Sequence, residues 1–232
     1  MKPVDKGQSL GTLARYPDAK PELLLRLGLQ CSYCEEPGSP QSLHIEHIYP
    51  KDPHPEFERE WDNFLVACST CNTYKHHHLG SARQTDLEGR YVWPHRENTM
   101  CAFHYFDDGR VEVVPGLSAD LSQAAGDTLN MIGAMKSPAA AANYGEDIAY
   151  DGMEKRKEMW EIASENRRDY LASDGAFSPG SIARNASKMG HFSIWMAVFH
   201  DRPEVRSELI RQFKAASNCF DQGTQPISRG RL

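Results

Sequence analysis

The chain has 232 residues, 40% of them apolar and 25% charged, with a formal net charge of −6. That profile belongs to a soluble globular protein able to bury a real core, in one domain or two. It holds no apolar run of about 18 residues, which excludes an expected membrane-spanning helix. "MKPVDKGQSL" also lacks the apolar stretch of a signal peptide, so a cytoplasmic location is expected.

In chain order, "DAKPELLLRLGLQ" (18–30) predicts a short helix, with Pro21 suited to its first turn and Gly28 to its end. "CSYC" (31–34) follows, then the turn-rich "EEPGSPQS". "LHIEHIYP" (43–50) reads as a strand stopped by Pro50, and the prolines of "KDPHP" forbid regular structure after it. "STCNTYKHHHLG" (69–80) predicts a helix ending at Gly80. Beyond residue 96 the character changes. "FHYFDDGRVEVV" (103–114) predicts a hairpin turning at "DDGR", and helices are expected around 119–135, 143–172 and 203–217. "GHFSIWMAVFH" puts Phe192, Trp195, Met196 and Phe199 on one helical face, read as core with a partner-binding face as the alternative. "SDGAFSPGS" (173–181) is the clearest linker or exposed loop, and there is no internal repeat.

Four of the six cysteines fall in two close pairs, Cys31 with Cys34 and Cys68 with Cys71. A Cys-x-x-Cys turn offers two thiolates from one tight bend, and two such turns complete a tetrahedron with no position left for substrate. In a reducing compartment that spacing predicts a structural Zn²⁺, four unmetallated thiols being the alternative. Cys101 and Cys219 stand alone and are expected to be inert buried thiols.

Between the cysteine pairs, "HIEH" packs two histidines and a glutamate into a short apolar strand, where such groups are costly unless they work. Together with "WDNFLVACSTCNTYK", this stretch resembles the zinc-stapled HNH endonucleases of ββα-metal fold, over residues 31–76. The resemblance implies that Glu46 binds a catalytic Mg²⁺ or Mn²⁺, that His47 is the general base and that Asn63 ties down the intervening loop. It also implies that Asn72 completes the metal site, joined by His76 one turn later. A neutral imidazole can take a proton from water near neutral pH, and a hard cation favours the oxygens of Glu46 and Asn72. Lys51 and Lys75 are expected at flanking phosphates.

Strict alternation places His44 and Glu46 on one strand face and His47 on the other. His47 is therefore expected at the strand end, where the peptide can rotate, and His44 becomes a further possible ligand. The bland alternatives are polar strand residues for His44 and His47, a turn residue for Asn63 and a solvated helix end for His76 to His78. Glu replaces the commoner Asp before the base.

These features together give an α+β expectation: an HNH module over 27–95 and a mainly helical region over 96–232. A weaker likeness is to the PtuB family, the HNH component of Septu antiphage systems, which acts beside a PtuA ATPase. It implies cleavage of DNA in antiphage defence with a PtuA-like ATPase partner. RNA cleavage and a catalytically silent zinc module are the alternatives. The charge map favours a partner: residues 1–150 carry 13 Lys and Arg against 21 Asp and Glu, while residues 151–232 carry 13 against 11. The first half therefore repels a polyanion. The competing expectation is that Lys155, Arg156, Lys157, Arg167 and Arg168 fold back beside the site.

Overall fold

The computed structural model describes residues 1–79, 87, 89–132, 152–173 and 177–232. The fold is α+β, as expected, with two small antiparallel sheets and a mainly helical second half among the described residues. A 3₁₀ turn, Tyr16–Ala19, leads into α1, Lys20–Leu27. Leu23 and Leu27, one turn apart, are buried, and Gly28 ends the helix at φ +85° with its N–H on Leu24 O.

Strand β1, Leu43–His47, pairs antiparallel with β2, Phe64–Cys68, setting Leu43 against Cys68 and His47 against Phe64. The strand ends at His47, earlier than Pro50, and one further bond in the same register, Ile48 N to Asn63 O, carries the pairing to the edge of the loop. Residues 64–67 are all buried, so β2 lacks the alternation that marks a half-exposed strand. That is why the sequence showed no strand signal there. Helix α2, Ser69–Leu79, follows β2 without a loop and completes the ββα unit.

A second hairpin joins β3, Phe103–Tyr105, to β4, Val111–Val113, through the expected "DDGR" turn. The helices after it are α3 (Ala119–Met131), α4 (Gly152–Ala172), α5 (Pro179–Met189), α6 (Phe192–Val198) and α7 (Pro203–Gln212). Gly80 and the expected helical positions 133–135 and 143–151 lie outside the described residues, as do 174–176 of the linker. Helix α5 corrects the last three residues of the stretch 173–181 expected as a linker or exposed loop. Ser178 Oγ accepts from Ser181 N and Pro179 opens the helix, so the Ser-Pro pair is a helix start rather than a loop signature. Helix α7 ends short of 217, with Lys214 at φ +54°.

The buried apolar residues form one cluster that spans both expected regions, from Leu23, Tyr33 and Phe64 to Phe192, Trp195 and Leu209. Phe192, Trp195, Met196 and Phe199 are at most 1% exposed, so this stripe is core and offers no docking face. Glu35, just past the first cysteine turn, ties the two regions together. Its carboxylate accepts from Ser193 N (3.0 Å) and Ser193 Oγ (2.6 Å), and its carbonyl accepts from His191 N. Gly190 sits at φ +81°, where an added Cβ would lie 2.5 Å from Glu35 O, so this approach requires glycine. Among the described residues no helix is long and apolar enough to cross a membrane.

Candidate active site and metal centre

The sulfurs of Cys31, Cys34, Cys68 and Cys71 all lie within 4.8 Å of one another, with Cys34 and Cys68 Sγ 3.8 Å apart. A zinc tetrahedron with Zn–S bonds of about 2.3 Å has edges of about 3.8 Å, so the quartet fits the ion. Its local frame explains the geometry. Cys31 and Cys34 sit in the turn after α1, while Cys68 ends β2 and Cys71 lies in the first turn of α2. The quartet thus pins both ends of the ββα unit. Among the described residues this is the one group of three or more Cys, His, Asp or Glu side chains gathered closely enough for a shared ion. Cys219 is buried as expected, whereas Cys101 is only half-buried.

The two residues between Cys31 and Cys34 are wired inward. Ser32 N donates to Val66 O of β2. The Tyr33 hydroxyl donates to Glu46 Oε1 at 3.2 Å, joining the cysteine turn to the carboxylate of β1. Glu46 is 2% exposed and its Oε1 also meets Lys75 Nζ at 2.7 Å. Burial raises the Glu46 carboxyl above its ordinary value, against the pull of Lys75, Tyr33 and, more weakly, His76.

Lys75, expected at a flanking phosphate, lines the same cavity but turns its ammonium inward. It is buried, and its ammonium donates inward to Glu46 and to His47 O at 2.6 Å. The reason is its place on the inner face of α2, against β1. Removing one member of a buried pair strands the other charge, so Lys75→Met should cost about 3–5 kcal/mol in denaturant unfolding. A loss below about 1 kcal/mol, the scale of a surface pair, would refute this role.

His47 closes β1, as expected of a residue that must turn toward the Glu46 side. Its ring is held edge-on between Tyr16 and Phe64, with both centroids at 5.1 Å. His47 Nε2 lies 3.0 Å from Glu58 O. A carbonyl only accepts, so Nε2 carries the proton and Nδ1 keeps the lone pair. Burial lowers the imidazole pKa to about 4, with the Glu58 carbonyl opposing and Lys51 and Lys75 adding to the drop. His47 is therefore a neutral acceptor across the whole neutral range.

Asn63 does tie the loop. Its Oδ1 accepts from Tyr49 N (2.7 Å), and its Nδ2 donates to Tyr49 O and Phe57 O, both at 3.1 Å. These bonds close 49–63 into a compact loop that carries Glu58 to His47.

Glu46, His47, Asn72 and His76 line one open cavity of about 460 Å³, and so do His44 and Lys51. Asn72 and His76, one turn apart on α2, form one wall; His76 and His44 are exposed. His77 and His78 are exposed and face elsewhere, consistent with a solvated helix end. Glu46 of β1 with Asn72 and His76 of α2 offers carboxylate, amide and imidazole donors to the cavity, although Glu46 is paired with Lys75 and these side chains are not gathered as the cysteines are. Lys155, Arg156 and Arg167 do not reach the cavity: they engage Glu36, Gly109 O and Asp201. Three residues of the site escaped sequence reasoning. Tyr33 carried one usable signal, its place inside the cysteine turn; Tyr16 and Lys20, which also line the cavity, carried none.

No curated protein matches the chain. Residues 31–78, which contain the cysteine quartet, β1, β2 and all but the last residue of α2, match the family model of the HNH endonucleases, a likeness that points to phosphodiester hydrolysis as the general kind of reaction.

Proposed function

We propose that the chain is a divalent-cation-dependent endonuclease that hydrolyses DNA phosphodiester bonds, with His47 as its general base. The observation that carries this reading is the setting of His47: neutral, locked by a backbone carbonyl, and opening onto a cavity shared with Glu46 and Asn72. A module that only binds has no use for such a base.

Glu46 and Asn72 would hold the cation, with His76 or His44 contributing. When bound, Mg²⁺ or Mn²⁺ would relieve charge on the phosphate and acidify the attacking water. That chemistry matters here, because an imidazole with a pKa of about 4 is a weak base on its own. His47 accepts the water proton, Glu58 O holds the ring and Asn63 holds Glu58's loop.

Antiphage defence beside a PtuA-like ATPase is the finer part of the proposal. Its support is the resemblance to the PtuB family and the acidic first half of the chain. With the aromatic stripe of α6 buried, any partner engages another surface.

Purified chain incubated with plasmid and with RNA, each with Mg²⁺, Mn²⁺ or EDTA, tests the activity. Cleavage of DNA that needs the cation, and that weakens in Glu46→Ala and Asn72→Ala, is the expected result. Nucleic-acid binding without cleavage under any condition would favour the silent zinc module, and preference for RNA would change the substrate.

The pH profile gives a separate check. Only neutral His47 accepts a proton, and its pKa lies below the ordinary value, so activity should hold as pH falls through 6.5 and drop toward pH about 4. An acid limb centred at 6.5 in kcat/KM would mean that the base is solvated rather than buried.

A further inference from the structure

The segment before the HNH match is fastened beside the cavity. Leu13 N donates to Arg59 O, Trp61 N donates to Gly11 O, and Lys6 Nζ reaches the carbonyls of Trp61, Asp62 and Phe64. These bonds fix the approach to the 3₁₀ turn, and Tyr16 and Lys20 then line the cavity alongside His47 and Lys51.

Tyr16 has two partners there. Its edge meets the His47 ring, and Lys51 Nζ sits 4.9 Å above its face. A cation over an aromatic face is held by the ring quadrupole, so Tyr16 fixes the direction of Lys51. Neither Lys20 nor Lys51 forms an ion pair with a described carboxylate, although both line the cavity. Lys75 and Glu46 neutralise each other, which leaves Lys20 and Lys51 facing Asp52 as the remaining lining charges. The cavity is thus locally cationic within an acidic chain. At contact distance, inside a Debye length of about 8–10 Å, the local charges govern binding.

We infer that Tyr16 and Lys20 complete a phosphate-binding wall with Lys51, so that the nucleic-acid backbone is gripped by residues from outside the HNH domain as well as within it. This inference rests on the nuclease reading. Lys20 and Lys51 contact phosphates flanking the scissile bond, and Tyr16 is a positioning residue that aims Lys51.

Each lysine–phosphate contact contributes about 0.9 to the slope of log K against log salt on duplex DNA, or about 0.7 on a single strand. The test is the affinity of the full chain for DNA in EDTA, titrated with KCl. Lys20→Gln and Lys51→Gln should each lower the slope by about that amount. Tyr16→Ala should lower it as Lys51→Gln does, and Tyr16→Phe, which keeps the ring, should restore it. Arg15→Gln is the control, because Arg15 pairs with Asp18 outside the cavity and should leave the slope intact. Circular dichroism establishes that each variant is folded. An unchanged slope in folded Lys20→Gln overturns the inference while leaving the nuclease reading in place, and so does an equal drop in Arg15→Gln. A wild-type chain that binds no nucleic acid in this titration overturns the inference, and one that in addition cleaves neither DNA nor RNA with Mg²⁺ or Mn²⁺ overturns the nuclease reading as well.

Discussion

Replacing His47 with alanine should lower the cleavage rate by about 10²–10⁴-fold, the usual contribution of a positioned general base. The fold should survive. His47 sits at the end of β1, and the loop beside it is held by Asn63 rather than by the imidazole. Zinc content should be unchanged, because the cysteine quartet is built from other turns. The loss should fall mainly on kcat, since the role proposed for His47 is on the attacking water and the phosphate grip is assigned to lysines. Wild-type cleavage by His47→Ala would remove the assignment and turn attention to His44 on the same cavity. A loss of activity with a large drop in melting temperature would instead mark His47 as structural, a packing residue between Tyr16 and Phe64.

Cys31→Ser should have the largest effect on stability. Folded protein washed with chelator is expected to retain about one zinc per chain, and the variant should lose it. Structural zinc in small modules contributes about 10–16 kcal/mol of apparent binding free energy, comparable with the roughly 5–15 kcal/mol that keeps a whole domain folded. The unit from 31 to 79 should therefore unfold, and cleavage should vanish with it. Tyr33 makes the connection direct. It sits between Cys31 and Cys34 and donates to Glu46, so opening the cysteine turn also releases the carboxylate expected to hold the catalytic cation. Elemental analysis showing no zinc in folded wild-type protein would defeat this prediction. So would a folded, active Cys31→Ser.

The site was only partly legible because its residues communicate over very different distances. Asn63 could be named from its place ahead of "FLVAC", and its three hydrogen bonds carry out the loop-tying role that the HNH resemblance implied. Lys75 is legible in the sequence as a residue of the site, and it lines the cavity, but its pairing with Glu46 is not legible. A lysine four residues from Cys71 looks solvated in the sequence, and only the packing of α2 on β1 turns it inward to Glu46. The periodicity of the α6 stripe predicts core with a partner-binding face as the alternative, and burial decides for core, since periodicity reports amphipathicity without saying what covers the face.

What the sequence by itself determined is the chemistry closest to local geometry. Two Cys-x-x-Cys turns, a His-Glu-His strand and an Asn-to-His helical spacing are short-range patterns, and which of their side chains share a turn or a helix face follows from local geometry. The tertiary structure alone decided which charges are paired, which imidazole is neutral and what else lines the cavity. Those outcomes depend on burial and on contacts between segments far apart in the chain, such as Tyr16 with His47 and Glu35 with Ser193. Desolvation and pairing belong to the packed environment of a group, and no local pattern encodes that environment.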